Sequence, residues 1–112
     1  MDGFCPLASG SKGNALYLGS RGSKILVDLG ISYKQLEVRL DKIGLTPADI
    51  DAIFITHEHL DHIQGLKVFC QKHKTPVIAN FETAKGIYQT LHYKPNFKIF
   101  TTGETFSFLG WD

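Results

Sequence analysis

The segment THEHLDHIQG, Thr56 to Gly65, constrains this chain more than any other. Three histidines, a glutamate and an aspartate fall within the six positions from His57 to His62. The segment follows directly on DIDAIFIT, whose continuous apolar centre predicts a strand buried on both faces. A helical reading fails. The motif H-E-x-x-H needs a second histidine four residues after the first, and here that position is Asp61. In extended chain, residues two apart point the same way, so His57 and His59 converge while Glu58 faces the other side. The turn into the next helix then carries Asp61 and His62 to a neighbouring point. Two adjacent pairs result, His57/His59 and Asp61/His62.

Three imidazoles beside a carboxylate at the end of a buried strand need partners. Imidazole nitrogens with one carboxylate suit Zn, Mn or Fe, and the balance of hard and soft donors does not choose among them. Two pairs point to two divalent ions, about 3.5–4 Å apart in two-metal hydrolases, with a bridging hydroxide that is nucleophilic at neutral pH.

The remaining chain predicts an α/β layered fold with a mixed sheet. FCPLA, ALYLG and KILVDLG read as short strands joined by the turns SGSKGN and SRGS. SYKQLEVRLDKIG reads as a helix with Ser32 as N-cap and Leu36, Leu40 and Ile43 on one apolar face. IQGLKVFCQKH and FETAKGIYQTLHY read as two further helices around the strand PVIAN. FKIFTTGETFSFLGW reads as two strands about the turn Thr102-Gly103, the second carrying Phe106, Phe108 and Trp111. His73 and His92 read as surface residues.

A chain of 112 residues fits one domain, and 43% hydrophobic residues can build a core. The formal charge of +1 names no partner. After His62, however, Lys67, Lys72, Lys74, Lys85, Lys94 and Lys98 face only Glu82, Glu104 and Asp112, a mild basic excess that fits a polyanion. No signal peptide is legible, and no apolar run approaches the ~18 residues of a membrane span. Cys5 and Cys70 have no C-x-x-C partner and read as small buried hydrophobes in a reducing cytoplasm.

THEHLDH resembles the H-x-H-x-D-H signature of the metallo-β-lactamase superfamily, and LASGSKGNALYLG and ILVDLG resemble the opening strands of its small bacterial hydrolase branch, associated with DNA exonuclease activity. The resemblance implies half of a four-layer αββα sandwich. It implies that His57 and His59 hold one metal, Zn or Mn, and Asp61 and His62 the other. Asp61 would also orient the attacking hydroxide. It further implies that Asp28, in VDLG, supports the ligand loop from beneath by accepting a hydrogen bond from a ligand. The family's further ligands, a His, a bridging Asp and a final His, match nothing up to Asp112, so residues 1–112 would form one partial domain that binds metal weakly or not at all.

In SGSKGN, Lys12 and Asn14 are candidates for contact with a substrate phosphate, against the plainer reading of a strand connection. The expected activity of the complete enzyme is phosphodiester hydrolysis in nucleic acid. A thioester or lactam hydrolase on the same scaffold is the first alternative, because fold does not fix substrate. The second is an inactive fragment that associates with itself, since half a sandwich leaves the inner face of its sheet uncovered, with Leu16 and Leu18 among its residues.

Overall fold

The alternation of the first thirty residues becomes a meander. The computed structural model describes residues 3–10 and 13–100. Strands β1 (Gly3–Ala8), β2 (Ala15–Ser20) and β3 (Ser23–Val27) pair antiparallel. Arg21 and Gly22 turn the second hairpin with φ of 55° and 81°, the left-handed pair that a two-residue hairpin turn requires. The chain then alternates helix and strand. Strands β4 (Ala52–Phe54), β5 (Val77–Asn80) and β6 (Phe97–Phe100) extend the sheet in parallel, giving the order β1-β2-β3-β4-β5-β6.

Four helices fill the connections: α1 (Tyr33–Asp41), α2 (Leu60–Ile63), α3 (Leu66–Lys72) and α4 (Phe81–Leu91). Ser32 caps α1, its Oγ accepting from the Gln35 N–H at 3.2 Å. Asn80 caps α4 in the same way through Thr83 N–H at 2.8 Å. All four helices press on one face of the sheet. Leu36, Leu40, Ile63, Leu66, Phe69 and Ile87 meet Tyr17, Leu26, Ile53 and Val77 in a single buried cluster. The opposite face carries Ile25, Ala52 and Ile78, all buried, with Leu18, Val27, Phe54 and Phe100 packed around them, and among the described residues no helix contributes to it. Strands β3, β4 and β5 are therefore apolar on both faces, as parallel strands at the centre of a sandwich must be. Among the described residues no helix is long and apolar enough to cross a membrane.

Two expected elements differ. The strand read across DIDAIFIT pairs only over Ala52–Phe54. Asp49 Oδ2 accepts from both the N–H and the hydroxyl of Thr46, which closes a 3-10 turn over Pro47–Asp49 and delays the strand. The helix read from Ile63 to His73 is split at Gly65. The Gly65 N–H bonds Leu29 O at 2.9 Å, and a Cβ there would overlap the Ile31 carbonyl oxygen. Asp61 and His62 consequently sit in the first turn of α2. The strand expected at Phe106, Phe108 and Trp111 lies outside the described residues.

Candidate metal centre

The segments that follow β3 and β4 meet the turn between β1 and β2 at the C-terminal edge of the parallel strands, where open α/β sheets place their sites. Three segments are laced together there. Asp28 N–H bonds Phe54 O at 2.7 Å, Leu29 N–H bonds His62 O at 2.8 Å, and Gly30 N–H bonds Asn14 O at 2.8 Å. Asn14 N–H bonds Asp61 O at 2.7 Å. Gly30 must lack a side chain, because a Cβ would coincide with the Asp61 carbonyl oxygen.

Asp28 lies at the centre of this lattice. It is 6% exposed and holds a left-handed φ of 64°. Its Oδ1 accepts from Thr56 N–H at 2.7 Å, and its Oδ2 accepts from the Thr56 hydroxyl and from His62 Nδ1, each at 2.7 Å. A carboxylate with three donors can be buried without an unmet charge. The His62 ring is thereby turned so that Nε2 faces outward, 3.7 Å from Asp61 Oδ2. Asp61 is held in turn by Asn14, whose Nδ2 lies 3.2 Å from Asp61 Oδ2.

His57 and His59 share a side, with ring centroids 5.9 Å apart, and the His57 ring is 5.0 Å from that of His62. Glu58 points away from them and packs on α4, where a Cβ on Gly86 would meet its Cγ at 2.6 Å. The strand end beneath the segment is buried at Ile53 and Ile55, whereas His57 and His59 themselves are exposed. The four side chains thus gather at one edge, but among the described residues no three His, Cys, Asp or Glu could hold one ion together. Two outward imidazoles beside a third and a carboxylate have the donor chemistry of a two-ion site, supplied to half its number.

Sequence reasoning missed three roles here. Thr56 links Asp28 to His57, its Oγ1 lying 3.1 Å from His57 Nδ1. A small hydroxyl residue immediately before the first histidine was the available signal. Asn14 spends its side chain on Asp61 and on Gly10, donating to Gly10 O and accepting from Gly10 N–H, both at 3.2 Å. Lys12 lies outside the described residues. His73 is half-buried instead of a free surface residue, because its Nε2 meets Tyr33 Oη at 2.7 Å and its ring stacks on Tyr33. His92 is exposed, as expected, and ends α4 in the left-handed region.

A family model for the metallo-beta-lactamase superfamily matches residues 8–99. The chain belongs to the metallo-β-lactamase superfamily. The match takes in Asp28 and the whole of THEHLDH. The chain is 40% identical over 107 residues to the exodeoxyribonuclease YycJ of Bacillus anthracis, covering 94% of this chain and 40% of that protein. It is 48% identical over 77 residues to the exodeoxyribonuclease WalJ of Streptococcus pneumoniae serotype 2, covering 69% of this chain and 29% of that protein. A solved subclass B3 metallo-β-lactamase with an active-site glutamic acid superposes with a TM-score of 0.75 at 16% identity, covering 95% of this chain and 46% of that one. The chain thus spans about two-fifths of the length of its YycJ relative, and its sheet with one helical layer corresponds to about half of a metallo-β-lactamase fold.

Proposed function

We propose that this chain supplies the first half of the two-metal centre of a metallo-β-lactamase-fold nuclease, in which His57 and His59 hold one divalent ion and Asp61 and His62 the other. One observation carries the reading: the Asp28 carboxylate takes His62 Nδ1 and leaves Nε2 outward beside Asp61, on the edge that His57 and His59 share. Histidine ligands in metal sites are oriented by such a carboxylate. A bound pair of ions supplies Lewis acidity and a nucleophile at neutral pH. The protein's own part is to hold the donors, with Asn14 fixing Asp61 and Asp28 fixing His62.

The substrate class rests on the relatives, which are named exodeoxyribonucleases. Hydrolysis of DNA phosphodiesters is the reading these support. The likeness to the lactamase superposed at 16% identity concerns fold alone. Zinc or manganese fits the imidazole and carboxylate donors. Both thiols are free, in keeping with a cytoplasmic setting. Phe4, exposed beside Leu18 on the face of the sheet away from the helices, supports a homo-oligomer.

The test is degradation of end-labelled single- and double-stranded DNA by the protein, with Zn²⁺ or Mn²⁺ added. Metal-dependent release of nucleotides, abolished in the His57→Ala/His59→Ala double variant, is the expected result. Release that persists in that variant would move the chemistry elsewhere, and hydrolysis of a lactam or thioester without DNA cleavage would replace the substrate class.

A further inference from the structure

We infer that Thr56 is a positioning residue that sets the tautomer of His57, so that the single buried carboxylate of Asp28 fixes the proton on two histidines. The inference rests on His57 being a ligand only for its purpose; its chemistry stands on the geometry alone. Thr56 Oγ1 lies 2.7 Å from Asp28 Oδ2 and 3.1 Å from His57 Nδ1. A hydroxyl has one proton, and an ionised carboxylate can only accept. The Thr56 proton is therefore spent on Asp28, and the oxygen presents lone pairs to His57. The contact with His57 is then a hydrogen bond only if Nδ1 carries the proton. Neutral imidazole has one N–H, so Nε2 is left with its lone pair.

His62 reaches the same state by the direct route, since its Nδ1 faces Asp28 Oδ2 at 2.7 Å. Both rings would thus offer Nε2 to a cation before any cation arrives. Thr56 is itself held in place, because its backbone N–H bonds Asp28 Oδ1 at 2.7 Å. The ring of His59, by contrast, has no hydrogen-bond partner among the described residues, only a stacking contact with His57. Its proton is free to choose either nitrogen, which makes it an internal reference.

The experiment is multiple-bond ¹⁵N–¹H NMR of the imidazole nitrogens in metal-free protein, at a pH where the rings are neutral. Wild-type His57 should show a protonated Nδ1 and a bare Nε2, as His62 should, while His59 shows the mixture of an unconstrained ring. In Thr56→Val, His57 should relax to the mixture seen for His59, and Thr56→Ser should restore it. His62 should keep its proton on Nδ1 in all three proteins, which reports that Asp28 and the fold are intact. A wild-type His57 protonated on Nε2, or a His57 tautomer unmoved by Thr56→Val, would overturn the inference. Zn²⁺ added to the same samples tests the ligand reading separately. A shift at His57 Nε2 supports it, and a His57 indifferent to millimolar Zn²⁺, enough to load a weak site, removes it without touching the tautomer result.

Discussion

His62 Nδ1 and Asp28 Oδ2 lie 2.7 Å apart, joining the first turn of α2 to the residue that follows β3. That bond gives one side chain two duties. It anchors the ligand segment to the sheet, and it decides which ring nitrogen looks outward.

Asp28→Asn separates those duties. Asparagine tolerates the left-handed φ of 64°, and its Oδ1 can still accept from Thr56 N–H. Its amide, however, would direct N–H groups at Thr56 Oγ1 and His62 Nδ1. His62 must then carry its proton on Nε2, toward the metal side. We expect a modest stability loss, about 1 kcal/mol, with Zn²⁺ affinity weakened on the order of tenfold or more. Asp28→Ala removes all three acceptor contacts and adds backbone strain, so urea unfolding should register a loss of about 3 kcal/mol. An alanine variant as stable as the parent would show that the lattice around Asp28 contributes little.

Gly30 and Gly44 offer a matched pair. A Cβ on Gly30 would coincide with the Asp61 carbonyl oxygen, whereas one on Gly44 would meet nothing, although Gly44 holds a φ of 78°. Gly44→Ala should therefore cost only its left-handed strain, about 1 kcal/mol. Gly30→Ala must push backbone from backbone and should cost at least about 2 kcal/mol while displacing Asp61. Equal unfolding midpoints for the two variants would contradict this picture of the close approach.

Much of this arrangement was legible in the chain, and the reasons are local. Ser32 followed by Leu36 and Leu40 announced α1, because capping and a 3.6-residue period act within one helix. His57 and His59 fell on one side because extended chain alternates. The misreadings came from contacts distant in sequence. Gly65 breaks the helix because Leu29 takes its N–H, and nothing near Gly65 announces Leu29. Asn14 serves Asp61 across 47 positions, and Tyr33 holds His73 across 40. Thr46 and Asp49 were close enough to read as a capping pair, yet the apolar run beside them argued for strand.

Metal binding should reflect the donor count. Among the described residues no three donors converge, so the 112-residue chain alone should bind Zn²⁺ and Mn²⁺ more weakly than about micromolar. A protonated imidazole cannot ligate, so what binding exists should fall as the pH is lowered. Isothermal calorimetry decides: a tight two-ion isotherm from monomeric protein would mean that further ligands are supplied.

The two thiols should differ in reactivity. Burial pushes the Cys70 thiol up to about 12. At pH 8 such a thiol is ionised in roughly one molecule in ten thousand, and the thiolate is the nucleophile. Cys5 lies on the edge strand β1 with its sulfur 3.9 Å from Pro6 O. Iodoacetamide followed by peptide mass spectrometry should find Cys5 modified at least about tenfold faster than Cys70. Comparable rates would place Cys70 in a more solvated setting than the fold gives it.

The helix-free face of the sheet makes the last prediction. Ile25, Ala52 and Ile78 form its centre, and Leu18, Val27, Phe54 and Phe100 pack around them. Phe4, the register partner of Leu18, is 68% exposed at its margin. Ile25, Ala52 and Ile78 are themselves buried, so a partner would cover the half-buried ring of Leu18, Val27, Phe54 and Phe100 together with exposed Phe4. A twofold pairing through this face would bury it against its own copy. Sedimentation velocity of the 112-residue chain at tens of micromolar should then give a dimer or larger species. Leu18→Glu should shift it toward monomer with an unchanged far-ultraviolet circular dichroism spectrum, since Leu18 lies on the face away from the helices and is only partly buried. A soluble parent monomer with cooperative unfolding would show that this face needs no second copy.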